Sequence, residues 1–331
     1  MSERSKPKAV LISDVHYNIN TLPLADAAMR AAIAHANKLG VLLIVAGDLH
    51  DTKALMRGEC VKAMIETFKQ AEDRPLILVG NHCLLNEKGK EHSLEFLKPW
   101  CDIVASPVDL NGTTYLIPYY SDADELRAVL SIIPIDRTLI MHQGLIGSNA
   151  GHYMQDKSAL NKEDVASFRI ISGHYHRRQD IKTPKGGLFS YIGNPYTLSF
   201  GEANDPPKGY QILNSDGSLT PVPLNLRKHV VLAYEVSRLP ECIDNVNTGD
   251  IIWLKVTGPQ SELAALKKQE VGMRLFGHTN FKFDKIPTDS AKIQVNVEKQ
   301  TGEEIFDRLI DATDEKPEEK KALKELWKEL V

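Results

Sequence analysis

The sequence predicts an α/β layered fold. Two observations predict it. Short, continuous apolar runs suit strands covered on both faces, and segments of helical period lie between them. Val10-Leu11-Ile12 is the first run. Thr21 to Leu39 follows, Ala-rich with apolar residues at helical spacing, and predicts a helix. Val41 to Val45 predicts the next strand and Glu59 to Phe68 a second helix. Leu76 to Val79, Leu139-Ile140-Met141 and Ile170-Ile171 are further strand-like runs. From Leu188 to Leu224 the pattern is mostly strand and turn, with Asn214-Ser215-Asp216-Gly217 as a turn signal. Pro221, Pro223 and Arg227-Lys228 mark a boundary, so a first domain is expected over residues 1–228.

A small α+β domain is expected over 229–287. His229 to Val236, Ile251 to Val256 and Phe281 to Ile286 read as strands, and Glu262 to Lys268 as a helix with Ser261 as its N-cap. The segment 288–331 is highly charged from Gly302 onward. Ile305, Phe306, Leu309 and Ile310 share one helical face, and Leu323, Leu326, Trp327 and Leu330 repeat that spacing after Asp314 to Pro317. This predicts a helical pair, packed on its own domain or docked on a partner helix.

Composition sets bounds. The 331 residues are enough for about two domains. Hydrophobic content of 42% and charged content of 25% suit a soluble globular protein. A net charge of -4 excludes a globally basic coat and leaves room only for a local basic patch. Met1 to Lys8 is polar and no apolar stretch follows, so no signal peptide is expected. No run approaches the roughly 20 apolar residues of a membrane span. Cys60, Cys83, Cys101 and Cys242 are scattered and form no Cys-x-x-Cys pair, which makes a reducing cytoplasm the simplest location.

The chemistry lies where the apolar runs end. Asp14-Val15-His16, Gly47-Asp48-Leu49-His50-Asp51, Gly80-Asn81-His82, His142-Gln143-Gly144 and Gly173-His174-Tyr175-His176 each follow one. Asp, His and Asn suit hard or borderline divalent ions. Asp14 and His16 are two apart and would point the same way at a strand end, as would His174 and His176. Asp48 could bridge two ions, and Asn81 offers a neutral amide oxygen. Two divalent ions about 3.5–4 Å apart acidify a water and neutralise a phosphate under attack. His82 could then supply a proton to the leaving oxygen. Each motif alone would be a hydrogen-bonded turn or cap; five in this order point to phosphate-ester hydrolysis.

This order of motifs resembles the calcineurin-like metallophosphoesterases, over residues 9 to about 200. The resemblance implies a two-sheet β-sandwich flanked by helices. It implies one metal held by Asp14, His16, Asp48 and His176, another by Asp48, Asn81, His142 and His174, and His82 as the catalytic histidine. Gly47 to Lys53, and Tyr191 to Leu198 with Asn204-Asp205-Pro206, are similar to segments of the nuclease subunits of SbcC–SbcD-type complexes and their bacteriophage recombination counterparts. That resemblance implies a DNA exonuclease and endonuclease active in recombination and repair. It also implies Mn²⁺ as the metal with Mg²⁺ as the alternative, an ABC-type ATPase partner on the C-terminal helices, homodimerisation, and a bacterial cytoplasm as the workplace. Cys83 stands where the family usually has an acidic residue, and His50 where the nuclease relatives are commonly aromatic and apolar. His50 could touch substrate phosphate or support Asp48. Lys53, Arg57, Arg177 and Arg178 could contact phosphate, and Tyr17 could stack on a base or pack in the core. Two alternatives stay open: a small-molecule phosphodiesterase or phosphatase, and a non-catalytic scaffold for DNA ends and the ATPase.

Overall fold

The computed structural model describes residues 6–52, 55–86, 91–150, 158–247, 249–288 and Lys320. Apart from Lys320, the expected tail helices lie outside them, as does Lys53.

The chain first lays down β1 (Pro7–Ile12), β2 (Leu42–Val45), β3 (Leu76–Leu78) and β4 (Asp102–Val104), all parallel. It then builds a second sheet from β5 (Val108–Asp109), β6 (Thr114–Ile117), β7 (Thr138–His142), β8 (Arg169–Gly173), β9 (Gln179–Lys182) and β10 (Leu188–Tyr191). Strands β11 (Gly209–Asn214) and β12 (Leu219–Pro223) return antiparallel to the edge of the first sheet. The result is two mixed six-stranded sheets, ordered β12-β11-β1-β2-β3-β4 and β5-β6-β7-β8-β10-β9. This is the α/β, two-sheet architecture flanked by helices that the resemblance implied.

The continuous apolar runs now have a cause. Side chains alternate across each strand, so one run feeds two cores. Ala9, Leu11, Ile44 and Leu78 of the first sheet meet Leu116, Ile140 and Ile171 of the second. Val10, Ile12, Leu43, Val45 and Ile77 turn the other way, onto α1 (Leu22–Leu39) and α2 (Gly58–Phe68). On the far side, Ile117, Leu139, Met141 and Ile170 pack with α3 (Ala123–Ser131). Helix α1 buries Ala25, Ala28, Met29, Ala32, Ile33 and Ala36, the stripe its spacing predicts, and stops at Gly40 in the left-handed region (φ 62°).

Residues 229–287 form a separate parallel sheet, β13 (His229–Glu235), β14 (Ile251–Gly258) and β15 (Lys282–Pro287), in that order. Leu232, Ile252, Leu254 and Val256 pack on Leu263, Val271 and Leu275 of two short helices, α4 (Gln260–Ala265) and α5 (Lys268–Phe276). The single helix expected over 262–268 is thus two. Leu266 and Lys267 are extended (ψ 122° and 129°) and break it. Pro259, not Ser261, occupies the N-cap position, its carbonyl accepting from Glu262 N and Leu263 N.

Candidate metal centre

Loops leaving the carboxyl ends of β1, β2, β3, β7 and β8 converge. Register places them side by side: Ile12 pairs with Val45, Val45 with Ile77, and His142 with Gly173. The loops are then stitched together. Asp14 N donates to Gly47 O, His16 N to Asp48 O, His82 N to Asp48 Oδ1, and His174 N to both carboxylate oxygens of Asp14.

Among the described residues the non-glycine positions with positive φ are Asp14 (53°), His16 (50°), Asp48 (47°) and His174 (87°). Asp and His tolerate this region better than most residues, yet each such backbone still costs on the order of 1–3 kcal/mol. The expectation that strand pleat aligns Asp14 with His16 is therefore corrected. Strand β1 ends at Ile12 and β8 at Gly173. Left-handed turns, not period-two alternation, aim these side chains. Close approach needs glycine. A Cβ on Gly80 would lie 2.2 Å from Asp48 Oδ1, and one on Gly47 would lie 2.1 Å from His142 Nδ1.

The donors form two main clusters. Ligand atoms of Asp14, His16 and His176 lie within 4.8 Å of one another, and so do those of Asp48, His142 and His174. Asn81 Oδ1 joins the second, 3.0 Å from both His142 Nε2 and His174 Nδ1. A third grouping, His16 with Asp51 and His82, overlaps the first. The His82 ring stands edge-on to His16 with centroids 4.9 Å apart, and its Nδ1 donates to Asp51 O at 2.6 Å. Every residue singled out in sequence as a ligand or as the catalytic histidine thus sits in this one patch.

Proton accounting shows that the patch suits cations. His142 Nδ1 faces Ala46 O at 2.8 Å, and a carbonyl can only accept, so Nδ1 carries the proton. Nε2 of the neutral ring is then a lone pair, yet it points at Asn81 Oδ1 (3.0 Å) and Asp48 Oδ2 (3.1 Å), both acceptors. Only an extra positive charge reconciles them. Burial opposes that charge, but Asp48, with Asp14 behind it, outweighs burial and pushes His142 up to about 9. Burial likewise works against ionised Asp48, yet His142, then His82 and His16, hold it well below the usual carboxylate range. A field that protonates a buried imidazole also favours a divalent cation. In the first cluster His176 Nδ1 donates to Glu202 Oε1 at 2.9 Å, so its Nε2 lone pair meets His16 Nε2 at 3.1 Å. Burial opposes a proton on His16, but Asp51, Asp48 and Asp14 together raise its pKa. Burial lowers that of His176.

Two contributors escaped the sequence reading. Asp51 Oδ1 lies 3.3 Å from His16 Nδ1, at ion-pair range but without hydrogen-bond geometry. Its place in Gly-Asp-x-x-Asp was a usable signal. Glu202 is buried and accepts from His176, Asn194 Nδ2 and Leu198 N. Burial pushes its carboxyl up, but His176 and Lys208 win and hold it far below the usual range. Nothing in sequence spacing ties it to His176.

Other candidates take humbler positions. His50 is fully buried and gives Nε2–H to Ser93 Oγ at 2.5 Å, while burial lowers its pKa to about 4, so it does not reach a substrate. Cys83 is fully buried in the core under α1 and α2, its thiol pushed up to about 12 by burial. Tyr17 is buried, which selects packing over base stacking. Arg57 pairs with Glu59 at 2.9 Å and Arg177 with Asp205 at 2.7 Å, while Arg178 makes a long contact to Pro207 O at 3.5 Å.

No protein-family model matches this chain, and no curated protein does. Among solved structures a dimetal phosphatase from Danio rerio is similar, with TM-score 0.39 and 10% identity, over 63% of this chain and 93% of that one. No described helix is long and apolar enough to cross a membrane.

Proposed function

We propose that this chain is a two-metal phosphodiesterase that cuts DNA, as exonuclease and endonuclease, in recombination or repair. One observation carries the hydrolase reading: two donor clusters share one patch, and in each a locked tautomer turns an imidazole lone pair inward. Asp14, His16 and His176 would hold one cation and Asn81, His142 and His174 the other, with Asp48 between them. Mn²⁺ suits this mixed nitrogen and oxygen set. What such cations supply when bound is acidity for the attacking water and charge neutralisation at the phosphate. The chain does the rest. Asp51 O fixes the His82 ring through Nδ1, leaving Nε2 free to give a proton to the departing oxygen when the ring is imidazolium. Gly47 and Gly80 keep the ligand loops within reach of each other.

The DNA assignment rests on the segments that resemble recombination nucleases, and their placement supports it. Tyr196 of the second segment donates to Val15 O, between the first two ligands, and Asn194 and Asp205 join the Glu202–Lys208 network. An ABC-type ATPase on the C-terminal helices, a homodimer, and a 229–287 domain that helps admit DNA complete the proposal. A second reading, a small-ester phosphodiesterase or phosphatase, is favoured by the pairing of Arg57 and Arg177 with carboxylates, which leaves them less free for a DNA backbone.

The deciding experiment is cleavage of end-labelled duplex and single-stranded DNA with Mn²⁺, comparing wild type and His82→Ala, with a small phosphodiester as control. DNA cleavage that the substitution abolishes supports the nuclease. Ester turnover without DNA cleavage, even with an ATPase partner added, moves the chain to the second reading. Inactivity on both leaves the scaffold.

A further inference from the structure

Phe200 and Glu202 sit on one short 3-10 turn, Phe200–Glu202, and serve different parts of the molecule. Glu202 is 3% exposed. Its Oε1 accepts a hydrogen bond from His176 Nδ1 at 2.9 Å, and its Oε2 accepts from Asn194 Nδ2 and Leu198 N, each at 3.0 Å. Lys208 Nζ lies 3.4 Å from the same carboxylate and donates to His176 O at 2.9 Å and to Asp205 Oδ2 at 2.8 Å. His176 is thus gripped by ring and by carbonyl through one network. Phe200 points into the three-stranded sheet, with its ring edge-to-face on His229 (centroids 5.0 Å) and Trp253 (5.5 Å). Three residues before it, Thr197 Oγ1 accepts from His229 N at 2.7 Å. A cleft lined by Glu202, Asp205, Lys208, Arg227, Lys228 and His229 runs beside the turn.

We infer that Glu202 is the positioning residue of His176, and that the Phe200–Glu202 turn couples the three-stranded sheet to the cation position His176 serves. The inference rests on the two-cation reading above. Its logic is one of leverage. The carboxylate dictates which ring nitrogen of His176 keeps a lone pair and where it points. The turn that carries this carboxylate is anchored by an aromatic contact to β13 and β14. A displacement of that sheet reaches His176 through three residues. Among the described residues His142 is braced differently, its Nδ1 held by the backbone carbonyl of Ala46 inside the core.

Calorimetric titration of the full chain with Mn²⁺ tests this, on wild type, Glu202→Gln, Phe200→Ala and the double variant. Gln keeps the shape, but with its oxygen on the Asn194 and Leu198 donors its NH2 faces His176 Nδ1 and no longer accepts that ring's N–H. Wild type should bind two ions. Glu202→Gln should weaken one by about 10–100-fold and leave the other unchanged. Phe200→Ala should weaken the same ion by less, and the double variant should be no weaker than Glu202→Gln alone. Equal weakening of both ions, or wild-type titration by both single variants, overturns the inference. Wild type that binds no Mn²⁺ sinks the two-cation reading itself, a different failure. Should Glu202→Gln not fold, amide exchange on wild type decides: Mn²⁺ should slow residues 199–205 and 229–235 together, and unchanged exchange at 229–235 refutes the coupling.

Discussion

The two halves of the centre are built to different standards. His142 is fully buried at the end of a core strand, and a main-chain carbonyl fixes its tautomer. His176 lies in a loop beyond β8, and a side chain fixes its tautomer, itself held by Lys208, Asn194 and the Leu198 amide. A main-chain brace can move only if the core moves. A side-chain brace can be shifted by whatever touches its turn. One half is therefore a fixed anchor, and the other can be adjusted from outside.

The sharpest way to break this contrast is Asp48→Asn, since Asp48 lies against His142 and within electrostatic reach of His16. Both halves should weaken together, and phosphodiester turnover should fall by about a thousandfold, roughly 4 kcal/mol of barrier. Kinetics beside Mn²⁺ titration would check it, and loss of only one ion would show that Asp48 belongs to one half. His82→Ala should lower turnover by about 10²–10⁴-fold while both ions still bind, because its proposed work is proton delivery. A lost ion would instead make His82 a ligand. Gly80→Ala should destabilise by about 1–3 kcal/mol in a thermal melt, since the new methyl meets both the Asp48 carboxylate and the Asp48 backbone nitrogen, and the backbone cannot yield as a side chain can.

Acidity separates the halves further. In cation-free protein His142 is raised from 6.5 to about 9. The sign follows from linkage: a raised histidine stabilises fully below about pH 6.5, and that contribution is lost as pH rises through about 9. Melting temperature of the metal-stripped protein should fall over that window. Mn²⁺ competes with the same proton, so affinity of the His142 half should climb with pH and level off near 9. A melting temperature flat across the window would mean that His142 is neutral. The smallest effect belongs to Cys83→Ala. It should cost about 1 kcal/mol of stability and change turnover little, because the buried thiol packs in the core and contacts the Gly80 and Leu49 loops through their backbone. Thiol reagents should fail to label Cys83 in the folded protein.

Strands β1, β2 and β3 and the candidate ligand loops were legible because both leave local marks, whereas β4, three residues long, was not. A strand covered on both faces must be apolar throughout, and loops that bind cations carry Asp, His and glycine at their tips. The second sheet was legible only in its buried middle. Strand β9, Gln179–Lys182, is a polar edge, and β5 is two residues long, so neither leaves a hydrophobic signature. Helix α3 was missed although Asp122 caps it through the Asp124 and Glu125 amides, a signal open to inspection. Helix α5 hides behind Gly272, a residue that weakens any helical reading. Glu202 was beyond reach for another reason: its partner His176 lies in a different loop, and only the tertiary structure brings them together.

The left-handed backbones at Asp14, His16, Asp48 and His174 narrow what these positions can become. Cys or Glu would serve a divalent ion well enough as chemistry. Neither adopts that handedness as readily as Asp, Asn, His or Gly does. Any ligands at these positions are therefore drawn from a short alphabet written by the main chain before an ion has any say. Drift at these positions should run Asp to Asn sooner than Asp to Glu, keeping the turn and surrendering the charge.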